Sequence, residues 1–165
     1  MQRANIPDAA NAPNEAWLLA LLAREGQCDY LRRHGSPQTA QAFAAQVPLV
    51  THDTLAPDIA RMAAGEGDVL FMGQPVAWER TSGSSAAGGK LIPYAAAGLA
   101  DMRAELGNWI AGLADRHLQP DCAGQLYLAL SPVLRAPHSL AGVPIGRSDA
   151  AYLGDALAAR LLPCL

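Results

Sequence analysis

Apolar positions recur with helical spacing in several stretches of this chain, and short apolar runs separate them. From Asn14 to about His34 the spacing predicts a helix with a break near Gly26. Trp17, Leu18, Leu21 and Leu22 share one face, and Leu31 extends the packing. Gly35-Ser36-Pro37 reads as a stop and a new start, followed by a helix over Gln38 to Gln46 and an extended Val47-Pro48-Leu49-Val50. Asp53 or Thr54 caps the next predicted helix, with Pro57 in its first turn, Leu55, Ile59 and Met62 as its stripe, and Gly65 at its C-terminal end. Val69 to Met72 and Val76 to Arg80 read as strands around a Gly73-Gln74-Pro75 turn. Leu91 to Tyr94 is extended and leads into a long helix, Ala95 to about His117. There Leu99, Met102, Leu106, Trp109 and Leu113 repeat at 3-4-3-4 spacing and predict a buried stripe. Gln125 to Leu130 and Ala141 to Ile145 read as further strands. Ser148 or Asp149 caps a last helix over Ala150 to Leu162. Strands alternating with helices give an α/β class. Residues 1–13 are polar and expected to be flexible, leaving 14–165 as the folded part.

Composition narrows the function classes. The 165 residues are 51% hydrophobic, so a sizeable core is within reach. A net charge of −3 with a pI near 5.7 gives no electrostatic footprint for nucleic acid. The longest apolar run, Ala16 to Ala23, is far short of a membrane span of about 20 residues. Asp8 and Glu15 ahead of it do not suit a secretory leader, which implies a cytoplasmic chain. Cys28, Cys122 and Cys164 are odd in number and far apart, as reduced thiols are, and no Cys or His pair has zinc-ligand spacing. His34, His52, His117 and His138 are scattered and read as helix-end or surface residues. Arg32-Arg33 reads as a solvated helix end. Trp78 suits core or pocket wall.

One segment carries chemistry: Thr81-Ser82-Gly83-Ser84-Ser85-Ala86-Ala87-Gly88-Gly89-Lys90, set between two extended stretches. Phosphate binding needs backbone N–H groups and hydroxyls turned toward an anion, glycine for close approach, and a cation. Thr81, Ser82, Ser84 and Ser85 supply hydroxyls, Gly83, Gly88 and Gly89 the backbone freedom, and Lys90 the charge. A flexible surface turn is the alternative. A Walker loop fails because Gly89 stands at the lysine position and an extended segment follows. A G-x-S-x-G elbow fails because Ala87 replaces its second glycine. Glu79 and Arg80 abut the loop, where they pair across strands or orient it.

The segment resembles the phosphate-binding motif of adenylate-forming enzymes, and most of all its version in the Gretchen Hagen (auxin-responsive promoter) family of acyl-acid amido synthetases. Thr81-Ser82-Gly83-Ser84-Ser85, then four residues, then Lys90-Leu91-Ile92-Pro93, fall in register with that family's motif. Tyr30 to Gly35, Val47 to Asp53, Ile59 to Glu66, Leu126 to Leu130 and Leu140 to Ile145 resemble its other segments in the same order. Ala87 stands where glycine is common and Gly89 where proline is common.

The resemblance implies the N-terminal part of an adenylate-forming large domain. It implies ATP and Mg²⁺ as cofactors, and a carboxylic acid and an amino acid as small-molecule partners. Its reaction activates the acid as an acyl-adenylate and then forms an amide. Thr81, Ser82, Gly83, Ser84, Ser85 and Lys90 are the implied ATP phosphate-binding residues. No catalytic residue and no protein metal ligand is assigned. Family members are longer, so the chain is expected to be truncated and inactive alone, with self-association through apolar surface that the missing part would meet. Two rivals stand beside this: a non-catalytic nucleotide-binding or interaction module, and an acyl-coenzyme A ligase.

Overall fold

The computed structural model describes residues 8–81, 89–117, 138–146 and 151–155, leaving aside the side chains of 8–12, 111, 113–117 and 138. The chain is α/β and divides into two compact units, Met1–Gln74 and Pro75–Leu165.

The first unit is helical: α1 (Asp8–Glu25), α2 (Asp29–Arg33), α3 (Ala40–Gln46) and α4 (His52–Ala63). Helix α1 starts six residues ahead of the predicted Asn14, so residues 8–13, expected to be flexible, are helical and Pro13 lies inside the helix. The expected break at Gly26 is present. The position is closed, since a Cβ there would lie 2.5 Å from the Leu22 carbonyl oxygen. The core is Leu22, Cys28 and Leu31, with Leu18, Tyr30, Phe43 and Val47 packed on it. Trp17, expected on the buried face, is 55% exposed. Cys28 is a free buried thiol, and burial pushes its pKa up; Cys122 and Cys164 lie outside the described residues.

Residues 69–72 are not a strand. Their backbone serves α2, whose first N–H groups have no partner inside the helix. The Asp29 and Tyr30 amides donate to the carbonyls of Asp68 and Val69 at 2.7 and 2.9 Å, and the Met72 amide donates to the buried Glu25 carboxylate at 2.7 Å. Asp68 and Gly73, both at positive φ, close the turn.

Helix α4 is capped by Thr51, not by Asp53 or Thr54. The Thr51 hydroxyl accepts from the Thr54 amide, and the Thr54 hydroxyl accepts from the Thr51 amide at 3.0 Å. The earlier start places Pro57 in the second turn rather than the first. Ile59 and Met62 are buried as expected, and Gly65, at φ 95°, follows the helix. The buried Asp58 holds Arg33 at 2.8 Å and Arg61 at 3.2 Å. Arg61 also reaches Asp29 at 2.7 Å and Glu66 at 2.9 Å. Arg32 and Arg33 are the exposed end of α2, as expected, and Arg33 also links α2 to α4 through Asp58.

The second unit holds a four-stranded mixed sheet in the order β2-β1-β4-β3, made of β1 (Ala77–Arg80), β2 (Leu91–Tyr94), β3 (His138–Leu140) and β4 (Val143–Ile145). Strand β1 runs antiparallel to β2 and parallel to β4, and β3 pairs antiparallel with β4. Of the predicted strand Ala141–Ile145, the first two residues form the β3–β4 turn. Both have positive φ, 51° at Ala141 and 79° at Gly142, as a two-residue hairpin of the commonest kind requires. Ala77, Trp78 and Leu99 are buried; among the described residues the enclosed Trp78 indole Nε1 has no hydrogen-bond partner.

Helix α5 (Ala96–His117) follows β2. Among the described side chains of its predicted stripe, Leu99 is the buried one. Met102 and Leu106 are half-buried and Trp109 is 60% exposed; Leu113 falls among the side chains left undescribed. The 3-4-3-4 spacing locates a face but does not provide what covers it. Residues 151–155 are helical, while the Gln125–Leu130 strand and the Ser148 or Asp149 cap lie outside the described residues.

Candidate functional site

The Thr81–Lys90 segment is the connection of the β1–β2 hairpin. The strands pair Ala77 with Tyr94, Trp78 with Pro93, Glu79 with Ile92 and Arg80 with Leu91. Beyond Arg80 the ladder continues one step, with the Thr81 amide donating to the Lys90 carbonyl at 2.9 Å. The Lys90 amide in turn donates to the Thr81 hydroxyl oxygen at 2.9 Å. Thr81 and Lys90, nine apart in sequence, thus face each other across the hairpin base, and both are exposed. Ser82, Gly83, Ser84 and Ser85 lie outside the described residues. The Thr81 hydroxyl is an acceptor in its bond with the Lys90 amide. Gly89 is required at this closure: a Cβ there would lie 1.7 Å from the Thr81 carbonyl oxygen.

A strand on each side distinguishes this loop from a Walker loop or a nucleophile elbow, both of which lead from strand to helix. Alternation along the strands puts Ala77, Glu79, Ile92 and Tyr94 on one face of the hairpin. Tyr152 sits on that face. Its hydroxyl donates to Glu79 Oε2, and its ring packs on Tyr94 with centroids 5.5 Å apart. Arg103 of α5 donates from Nε to the Tyr152 carbonyl at 2.9 Å and from Nη2 to the Ala151 carbonyl at 3.1 Å. Sequence reasoning weighed Glu79 as a pairing or orienting residue but missed Tyr94, Arg103 and Tyr152, which no local pattern links. His34 packs on Tyr30 and His52 lies beside Asp53, both in the first unit.

Among the described residues no group of three His, Cys, Asp or Glu side chains could hold a metal ion, and no helix is long and apolar enough to cross a membrane.

A mixed α/β unit with a hydroxyl- and glycine-rich hairpin loop ending in lysine defines the class. Residues 5–157 match the model described as the GH3 family N-terminal domain, and the chain belongs to the GH3 family. The chain is 42% identical over 77 residues to the rice (Oryza sativa subsp. japonica) probable indole-3-acetic acid-amido synthetase GH3.1, covering 44% of this chain and 13% of that protein. It is 40% identical over 86 residues to the rice probable indole-3-acetic acid-amido synthetase GH3.2, covering 50% and 14%. The AtGH3.15 acyl acid amido synthetase in complex with 2,4-DB shares the fold with a TM-score of 0.69 at 24% identity over 87% of this chain. The chain spans 25% of that protein's length.

Proposed function

We propose that this chain supplies the ATP phosphate-binding hairpin of an acyl-acid amido synthetase. In the first half-reaction a carboxylate oxygen attacks the α-phosphorus of ATP and pyrophosphate leaves, giving an acyl-adenylate. In the second, an amino-acid amine attacks the acyl carbon, the bond from that carbon to the phosphate oxygen breaks so that AMP leaves with the oxygen and its electron pair, and the amine releases a proton. The reading gives Ser82, Ser84, Ser85 and the Gly83 amide to the phosphate oxygens, with the Thr81 hydroxyl at the loop's start and Lys90 supplying positive charge at its end. Fixed donors at the developing charge, and alignment of the reactants, are what such a loop contributes.

The observation that supports this most is the closure of the β1–β2 hairpin by Thr81 and Lys90, which brings the two ends of the motif together in a chain of GH3 membership. Mg²⁺ typically keeps several waters and binds through substrate phosphates and one or two carboxylates, so it needs no protein cage. It would offset charge on the leaving pyrophosphate. The relatives' names make indole-3-acetic acid and 2,4-DB the first acids to try. The exposed Trp17, Leu49 and Trp109 are in keeping with self-association of this chain.

Calorimetric titration of ATP with Mg²⁺ into the 165-residue chain tests the hairpin. Lys90→Ala and the double change Ser84→Ala with Ser85→Ala are each expected to weaken binding about tenfold, which is about 1.4 kcal/mol. Equal affinity in all three proteins removes the assignment. Carboxylate-dependent pyrophosphate exchange in a full-length synthetase carrying the same changes then reads adenylation. Supplying an amino acid or coenzyme A as acceptor separates amide from thioester formation.

A further inference from the structure

We infer that Tyr152 and Glu79 form a positioning pair that sets the geometry of the hairpin base and, through it, the presentation of Thr81 and Lys90 to phosphate. The inference rests on the phosphate-binding reading for its consequence, but not for its geometry.

Tyr152 holds both strands at once. It reaches β1 through the hydrogen bond from its hydroxyl to Glu79 Oε2, and β2 through its ring on Tyr94, tilted 47°. Glu79 is two residues ahead of Thr81, and strand alternation puts the two on the same face. A rotation of the strand at Glu79 is therefore carried to the Thr81 hydroxyl and to its bond from the Lys90 amide. Tyr152 is itself fixed from the far side. Arg103 binds two successive carbonyls, those of Ala151 and Tyr152, and lies close over Gly154. A Cβ at Gly154 would sit 2.9 Å from Arg103 Nε, and the φ there is 74°. Arg103 belongs to α5, which joins β2 through Ala95. The contacts thus form a closed circuit: β1, Tyr152, Arg103 and α5, β2, and back to β1 through the ladder. Such a circuit resists shear between the strands, which is the motion that would part Thr81 from Lys90. A clasp with no bearing on the loop would have no reason to include the last carboxylate before it.

The test uses the whole chain. Tyr152→Phe keeps the ring and removes the donor. Glu79→Gln keeps an acceptor oxygen, and Glu79→Ala removes it. Inorganic tripolyphosphate is the probe, and hydrogen exchange of the Thr81 amide reads the hairpin base directly. Tyr152→Phe and Glu79→Ala are expected to exchange the Thr81 amide at least about fivefold faster and to bind tripolyphosphate about fivefold more weakly. Glu79→Gln should restore both to within about twofold of the parent, a rescue that general loss of packing does not give. Unchanged Thr81 exchange in Tyr152→Phe overturns the pair. Unchanged affinity in Tyr152→Phe, with Lys90→Ala still weakening binding, overturns its role toward phosphate and leaves the phosphate reading standing. If Lys90→Ala binds as well as the parent, the phosphate reading fails instead, and Thr81 exchange alone decides whether the pair sets the hairpin base.

Discussion

Arg61 meets three carboxylates, on Asp29, Asp58 and Glu66. Its hydrogen bonds hold the Asp29 and Glu66 carboxyls below their ordinary range, with Arg33 adding attraction at Asp29. A carboxyl whose pKa is lowered by folding stabilises the folded chain above its unfolded pKa. That contribution is lost as pH falls through the folded value. Urea unfolding should therefore show an Arg61→Met deficit that is largest near about pH 7 and shrinks below about pH 4. A deficit of equal size at both ends would mean that Arg61 acts through packing alone. The stems of this cluster were not legible in the sequence. Arg33 and Asp58 are 25 residues apart and on different helices, and neither carries a local sign of its partner. Leu22 was legible because it lies on an apolar face that repeats along α1, and Leu31 as an extension of the same packing.

At the scale of elements, the start of α4 shows how a cap decides a boundary. Thr51 and Thr54 satisfy each other's amides, so the helix begins before Asp53, the residue whose side chain competes for the same role. Thr51→Ala should lower stability by about 1 kcal/mol, with Thr51→Ser close to the parent, as read from chemical denaturation midpoints. No loss in Thr51→Ala would place the helix start elsewhere. The sequence was informative about most helices because their period repeats over several turns. It was least informative where one element serves another. The run Val69 to Met72 has strand composition, yet its neighbouring carbonyls are taken by α2. Trp109, ten residues after Leu99, keeps its spacing, and a straight helix drifts by only about 20° per heptad, too little to turn Trp109 off the stripe. Leu99 is buried and Trp109 exposed because of what packs on each end of that face, which spacing does not encode.

For the molecule as a whole, the order of motifs made the family legible, since several linked segments in register constrain each other more than any one loop does. The strands on both sides of the loop were also legible; their pairing partner at Tyr152 was not, because the contact joins residues 73 apart. The burial of the three tryptophans has an optical consequence. Trp17 and Trp109 are 55% and 60% exposed, while Trp78 is 1% exposed, with an indole N–H that meets no acceptor among the described residues. Excited indole relaxes chiefly by reorienting solvent, and at 1% exposure Trp78 meets almost none. Replacing Trp17 and Trp109 by Phe should leave a blue-shifted emission that iodide barely quenches, from a fluorophore in β1 three residues before Thr81. Red-shifted, readily quenched emission from that variant would show that the strand is open to solvent. If it stays blue, the chain carries an intrinsic optical reporter of events at its own hairpin.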